Sequence, residues 1–116
     1  MNDIERLTQV RVLHMTYSVT FVDYCDLPDQ EEWGHCDLHR NRIIICRDAS
    51  NQSLVDTLWH EIKHAINHEM GLHDKSTEEE FVLRGTKGEL AVLRDNPTLR
   101  EILWDFCSDK PKLPLD

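Results

Sequence analysis

The two halves of the chain carry different hydrophobic patterns, and this division limits the folds that the chain can adopt. In the first half, short runs rich in β-branched and aromatic residues show partial alternation with polar residues, which is typical of strands. In the second half, apolar residues recur at intervals of three and four, which is typical of amphipathic helices. Strands followed by helices indicate an α+β fold, in which helices cover one face of a small antiparallel or mixed sheet.

Turn and capping residues give the expected boundaries of these elements. The patterns predict strands at 10–13, 17–22, 33–38 and 42–46, the last two joined as a hairpin. The first helix follows capping candidates at 48–51 and ends at Gly71, a natural residue just past a helix end. The second helix runs from 76–77 to about 94, and Asn96 is the expected N-cap of a third helix. With 116 residues, we interpret 1–116 as a single domain with strands at about 10–46 and helices at about 51–107.

Charge and cysteine usage exclude several classes of function. The chain has 22 acidic residues against 13 basic ones, a net charge of −9, so a surface that binds phosphates throughout is excluded and no nucleic-acid partner is expected. No apolar run approaches the length of a membrane span. The first residues lack the layout of a secretory signal, and the four cysteines form no Cys-x-x-Cys pair. We therefore expect a cytoplasmic protein whose cysteines are reduced and buried, and whose three tryptophans pack in the core or between helices.

The segment His60-Glu61-Ile62-Lys63-His64 is the most informative part of the sequence. Residues at i and i+4 of a helix lie on one face about 6 Å apart along the axis, so two imidazoles reach one metal ion. Glu61 is placed to accept a proton from a zinc-bound water. His68 follows at the same spacing, but a helix rises about 12 Å between His60 and His68, so all three cannot bind one ion. We expect His68 to be exposed or to support a ligand.

A catalytic zinc ion needs a third protein ligand, and the acidic run 78–80 supplies the candidates. From Glu79, the positions at helical spacing form a largely apolar face that is expected to pack on the histidine-bearing helix; its members are Val82, Leu83, Thr86, Leu90 and Leu93. The corresponding face from Glu78 is less apolar, and the face from Glu80 is charged. Glu79 is therefore the expected third ligand and Glu78 the second choice. A capping box, Ser76 with Glu79 or Thr77 with Glu80, is the competing structural role.

Residues 57–66, Thr-Leu-Trp-His-Glu-Ile-Lys-His-Ala-Ile, resemble the active-site helix of small gluzincin-type zinc metallopeptidases, including ImmA/IrrE-type proteins and compact relatives of phages and bacteria. Weaker similarity extends over roughly 34–104. The resemblance implies a zincin-like fold, Zn²⁺ bound by His60 and His64, Glu61 as general base and acid, and a glutamate of the following helix, here Glu79, as the third ligand.

The chain departs from this family pattern at two points. Leu83 stands four residues after Glu79, where thermolysin-like enzymes have an aspartate. The residue that would stabilise an oxyanion has no clear counterpart, and His73, His35 and Tyr24 are the candidates.

Two functions of different classes follow from the motif. The first is a zinc metalloendopeptidase of the His-Glu-x-x-His type that hydrolyses a peptide or protein substrate, which binds as an added strand along 33–38. The second is a catalytically silent, zinc-stabilised protein-binding module, possible for a phage-encoded protein. Glu61 favours the enzyme, because a purely structural zinc site does not need this carboxylate. DNA mimicry by the acidic surface is a weaker third idea that rests on charge alone.

Overall fold

A computed structural model of the chain describes residues 3–27 and 32–108. Its strands are β1 (Gln9–Val12), β2 (Met15–Val22), β3 (Gly34–Asp37) and β4 (Arg42–Cys46), and its helices are α1 (Asn51–Glu69), α2 (Glu78–Asp95) and α3 (Pro97–Ser108). The α+β fold expected from the two hydrophobic patterns is confirmed. The zincin-like assignment stays a prediction.

The four strands form one mixed sheet in the order β1-β2-β4-β3. The outer pairs β1–β2 and β3–β4 are antiparallel, and the central pair β2–β4 is parallel. Alternate residues of β2 are buried, as the period of a strand with one covered face requires. The two edges of the sheet are β1 and β3, and β3 is the edge beside the His-Glu-x-x-His helix.

The helices cover the buried face of the sheet. Helix α1 packs against β3 and β4, α2 packs against α1 and β1, and α3 contacts α1 and α2. The core between these layers consists of buried aliphatic side chains together with Tyr17 and Phe21; its largest fully buried members are Tyr17, Ile43, Ile45, Leu58, Ile62, Ile66, Leu99 and Ile102. The Tyr17 hydroxyl donates a hydrogen bond of 2.7 Å to Glu69 Oε2, which ties β2 to the last turn of α1.

The helix boundaries match the capping signals in the sequence. Ser50 caps α1 by accepting a hydrogen bond from the Ser53 N–H. Gly71 follows this helix with φ of +71°, a left-handed conformation that glycine adopts without a Cβ clash. Thr77 and Glu80 form a reciprocal capping box at the start of α2. Of the two capping boxes considered from the sequence, the structure therefore forms the one with Glu80.

Asn96 holds the expected N-cap position, because it precedes Pro97 and its carbonyl accepts the first hydrogen bond of α3, from the Arg100 N–H at 3.1 Å. Its side chain, however, does not bond the helix but lies along β1, where Oδ1 accepts from the Arg11 N–H at 2.8 Å and Nδ2 donates to the Arg11 carbonyl at 2.7 Å. Nδ2 also donates to the Val92 carbonyl at 2.7 Å. The amide thus pairs with the outer edge of the sheet and fixes the α2–α3 junction against it.

The expectations for tryptophan and cysteine are partly wrong. Trp33 and Trp104 are 48% and 72% exposed, and Trp59 is partly buried against the core. Cys36, Cys46 and Cys107 are free thiols that are half-buried, buried and exposed, while the side chain of Cys25 lies outside the described part of the chain. Among the helices of residues 3–27 and 32–108, none combines the length and apolar composition needed to cross a bilayer.

Candidate active site

Helix α1 carries the His-Glu-x-x-His segment at the border between its buried and exposed faces. The apolar residues that anchor this helix to the sheet leave His60 and His64 exposed on its flank, while Glu61 turns inward and is 7% exposed. Asp56, one turn before His60, continues the same row toward the start of the helix. The motif is therefore presented to a surface cleft by a helix whose opposite side is fixed in the core.

The two histidine rings converge on one point. His60 Nε2 and His64 Nε2 lie 3.2 Å apart, and the rings meet edge to face with centroids 4.9 Å apart. A tetrahedral ion with nitrogen ligands at about 2.0–2.1 Å holds two of them about 3.3 Å apart. Without an ion, the same separation is a hydrogen bond in which one ring donates and the other accepts. The pair thus fits two ligand positions of a zinc ion.

The cleft beside this pair has a volume of about 440 Å³ and lies between α1 and the edge strand β3. From α1 it is lined by Asp56, Thr57, His60, Glu61 and His64, and from the β3 side by Glu32, Trp33, Gly34, His35, Cys36 and Leu38. An edge strand exposes backbone N–H and C=O groups that can pair with another extended chain. The cleft therefore places the histidine pair beside a strand edge suited to an extended peptide.

Glu61 is a buried carboxylate that opens into this cleft. It forms no hydrogen bond or ion pair with another residue of the described ranges, and it lines the cavity beside both histidines. Burial raises the pKa of Glu61 above its ordinary value, and the nearby charges of His60 and His64 oppose that shift. The carboxylate is thus held next to the histidine pair without an internal partner that would neutralise it.

Gly34 lets the strand approach Glu61 closely. A methyl group added at Gly34 would lie 2.7 Å from Thr57 Cγ2 and 3.0 Å from Glu61 Oε2. Real Cβ atoms essentially never show a contact as short as the first, and the second is tighter than most, so a larger residue would have to displace Thr57 or the strand and shift the carboxylate slightly. The absence of a side chain at Gly34 therefore sets the distance between the edge of the sheet and the carboxylate.

The structure does not bring Glu79 to the histidine pair. Glu79 is exposed, and the face predicted to pack on α1 points to solvent, since Val82, Leu83 and Leu90 are 58%, 53% and 62% exposed. The prediction of the packed face is wrong. The residues of α2 that are buried against the rest of the protein are Gly85, Gly88 and Val92.

The position of the buried face changes the ranking of the acidic candidates. At 3.6 residues per turn, Glu79 lies about 150° from the centre of the buried face, whereas Glu78 lies about 50° from it. Glu80 is occupied as the partner of Thr77. Within residues 3–27 and 32–108, no group of three His, Cys, Asp or Glu side chains is arranged to hold a metal ion. The histidine pair is formed here, and a complete set of metal ligands is not.

The other candidates from the sequence lie around the cleft. His68 is exposed, as expected. His35 lines the cleft, with its Nδ1 3.6 Å from Glu32 Oε2. His73 lies outside it, in a smaller cavity of about 260 Å³ that shares His64 with the main cleft. Of the proposed oxyanion-stabilising residues, only His35 is therefore part of the cleft lining.

Cys36 also lines the cleft but is unsuited to act as a nucleophile. Burial raises the pKa of the Cys36 thiol to about 12, and the negative charges of Glu61 and Asp37 add to that effect. Because the thiolate is the reactive form of cysteine, this side chain stays protonated and unreactive near neutral pH. Among the residues of the cleft, the carboxylate and the histidines are therefore better suited to chemistry than this thiol.

Sequence reasoning missed Glu32 and Asp56 as cleft residues, whereas Trp33 was expected there as the first residue of the substrate-binding strand 33–38. Asp56 carried a usable signal, because it precedes His60 by the same four-residue step that separates His60 from His64. Glu32 carried none, since it precedes β3 and reaches the cleft only through the pairing of β3 with β4.

Comparison of the chain with models of protein families, with curated proteins and with solved structures gives no match. The interpretation of the site therefore depends on its geometry and on the motif itself.

Proposed function

We propose that the protein is a zinc-dependent peptide hydrolase. The observation that carries this proposal is the convergence of His60 Nε2 and His64 Nε2 to 3.2 Å beside the buried Glu61 carboxylate, in a cleft bounded by a strand edge. Two imidazoles, a carboxylate without an internal partner and an extended-chain binding edge are the parts that hydrolysis of a peptide bond requires.

His60 and His64 would hold the zinc ion, and the first turn of α2 would supply the third ligand. We favour Glu78 for this role over Glu79, because Glu78 lies nearer the side of α2 that faces α1. When bound, Zn²⁺ supplies Lewis acidity and lowers the pKa of a water to about 7. Replacement of Glu78 by Ala is expected to lower zinc affinity at least about tenfold, with Glu79→Ala as the matched control. If only Glu79→Ala lowers the zinc affinity, the third ligand would be Glu79, as expected from the sequence, and not Glu78.

Glu61 would move the proton of the reaction. Its carboxylate accepts a proton from the attacking water and returns it to the amine of the leaving peptide. Burial behind Gly34 and Thr57 limits the positions that this side chain can adopt, so the acceptor stays beside the histidine pair. Positioning of this kind contributes to catalysis because the group needs no reorganisation when the proton moves.

The substrate would bind as an extended chain along β3. Among the described residues, β3 pairs only with β4, so its other side offers backbone groups to a peptide. A Cβ at Gly34 would lie 3.0 Å from Glu61 Oε2, so a peptide bond opposite this part of the strand would lie next to the proton acceptor.

A zinc-stabilised protein-binding module is the second candidate. The exposed apolar residues of α2, which are Val82, Leu83 and Leu90, favour it, because contiguous apolar surface is typical of protein interaction sites. In this case zinc would contribute to folding rather than to cleavage.

The deciding experiment compares Glu61→Gln with wild type. Each protein is incubated with a proteome-derived peptide mixture, new peptide termini are identified by mass spectrometry, and zinc content is measured in parallel. We expect Glu61→Gln to bind zinc and to produce no new termini above background, while the exposed control Glu101→Gln cleaves like wild type. Equal cleavage by wild type and Glu61→Gln would reject the hydrolase. Unfolding on chelation of zinc, without cleavage by any variant, would favour the binding module.

A further inference from the structure

The cleft has two chemically different ends. Asp56 lies one helical turn before His60, and Glu32 and Trp33 precede β3, so these residues line the end near the start of α1. Leu38 and His64 line the opposite end, which adjoins the smaller cavity. The first end is acidic and aromatic, and the proposed reaction centre extends from His60 to His64 at the opposite end.

Negative charge in the cleft is not balanced by its lining. The described residues that line it include three carboxylates, those of Glu32, Asp56 and Glu61, and no lysine or arginine. Glu61 is 7% exposed and makes no hydrogen bond or ion pair with another described residue. The neighbour of Glu32 is His35, at 3.6 Å. A cationic group entering the cleft would thus meet carboxylates that no lysine or arginine of the described lining pairs with, His35 being the one basic neighbour of Glu32.

Trp33 supplies a fixed aromatic surface at the same end. Its carbonyl accepts a hydrogen bond of 2.9 Å from the Cys46 N–H, which anchors its backbone to β4. Its ring packs against Tyr24 with centroids 5.5 Å apart and planes inclined at 48°. The residue nevertheless stays 48% exposed. An aromatic face held in this way is a favourable partner for a guanidinium or ammonium group.

We propose that Glu32, Trp33 and Asp56 form a subsite for an arginine or lysine side chain of the peptide substrate. This inference rests on the proposed function and names its substrate class, peptides with a basic residue beside the scissile bond. Asp56 lies about 6 Å along α1 from His60, which is within reach of a side chain next to the bond that is cut. Arginine is favoured over lysine, because its planar guanidinium both stacks on an aromatic ring and pairs with carboxylates.

The test measures binding separately from cleavage. The zinc-loaded Glu61→Gln protein is titrated with acetyl-Ala-Ala-Arg-Ala-Ala-amide and with the same peptide carrying citrulline, which keeps the shape of arginine without its charge. We expect the arginine peptide to bind at least about fivefold more tightly at low salt, with the ratio falling as salt is added. Glu32→Gln/Asp56→Asn in the same background is expected to bring the ratio close to one.

Two controls match the charge and the aromatic changes. Glu101→Gln/Asp105→Asn removes one glutamate and one aspartate on α3, and Trp104→Ala removes an exposed tryptophan outside the cleft lining. Both are expected to keep the arginine preference, whereas Trp33→Ala is expected to reduce it. Equal affinity for the two peptides, no binding of the arginine peptide, or an undiminished preference in Glu32→Gln/Asp56→Asn would overturn the subsite.

Failure of the subsite and failure of the hydrolase are distinguishable. A preference for arginine in Glu61→Gln without any cleavage by wild type supports the subsite and rejects the hydrolase. Cleavage by wild type without enrichment of arginine or lysine near the cut sites supports the hydrolase and rejects the subsite.

Discussion

Gly88 lies where α2 packs closely against the histidine-bearing helix, and replacing it by Ala tests that packing. A Cβ at this position would lie 2.5 Å from Ile66 Cγ2 and 3.0 Å from Met70 Cγ. Met70 has a flexible side chain that can move. Ile66 is fully buried and branched at Cβ, so its χ1 angle is strongly restricted. The helices would therefore have to separate, or the Ile66 side chain would have to leave its preferred rotamer.

The expected loss of stability in Gly88→Ala follows from two opposing contributions to the free energy of unfolding. Overpacking of a core contact costs about 1–3 kcal/mol, while Ala in place of Gly in a helix interior stabilises by about 0.8–1 kcal/mol. Gly85 provides a matched control one turn earlier in α2, because a Cβ there would meet nothing within 4 Å. Gly85→Ala should therefore gain only the stabilisation that comes from the higher helix propensity of Ala. Since that contribution cancels between the two variants, Gly88→Ala should be less stable than Gly85→Ala by about 1–3 kcal/mol.

Equilibrium urea unfolding followed by far-ultraviolet circular dichroism measures this difference, provided that the denaturant slope is the same for the variants. A further replacement, Ile66→Leu, removes the clashing Cγ2 at nearly constant volume and should recover part of the loss only when Ala is present at position 88. Equal stabilisation by Gly85→Ala and Gly88→Ala would refute the close contact between α1 and α2.

Three further predictions follow from other buried groups. Asn96→Ala removes both hydrogen bonds to the Arg11 backbone and should lower the free energy of unfolding by about 2–4 kcal/mol in urea titrations; a loss below about 1 kcal/mol would contradict the pairing with the strand edge. Burial raises the pKa of Glu61 in the folded state, so the folded protein favours the protonated carboxyl. The free energy of unfolding is therefore highest below the unfolded pKa of Glu61, and this stability is lost as pH rises through the folded pKa. Metal-free Glu61→Gln should therefore melt above the wild type at pH 7, with the gap closing toward pH 4, and a gap independent of pH would count against this reasoning. Iodoacetamide should label Cys107 at pH 8 while Cys36, with its pKa raised to about 12, stays unmodified by peptide mapping; comparable labelling of both would show that Cys36 is not shielded.

The elements of the fold could be predicted because their signals are local. Alternation within strands, the three-and-four spacing of the helices and the capping residues each act over a few positions, and the observed boundaries lie within a few residues of the expected ones. The role of Asn96 could not be predicted in this way. Its partner Arg11 lies 85 residues away, and only the folded chain brings the strand edge to this amide.

The site could be predicted in part for the same reason. The convergence of His60 and His64 follows from helix geometry alone, whereas the packed face of α2 was assigned by counting apolar side chains. That counting fails because α2 approaches α1 through Gly88, which has no side chain to count, and leaves larger apolar residues exposed. A third ligand from α2, as proposed, would depend on how two helices pack, and no pattern within one helix determines that packing.

The affinity for zinc in competition with a chromophoric chelator is the most direct test of the account. Three proteins are compared, the wild type, His64→Ala and His68→Ala, the last removing an exposed histidine one turn beyond the pair. We expect one zinc ion per chain for the wild type, unchanged affinity for His68→Ala, and a loss of at least about tenfold for His64→Ala. Zinc binding by His64→Ala equal to that of the wild type would contradict a metal site formed by His60 and His64.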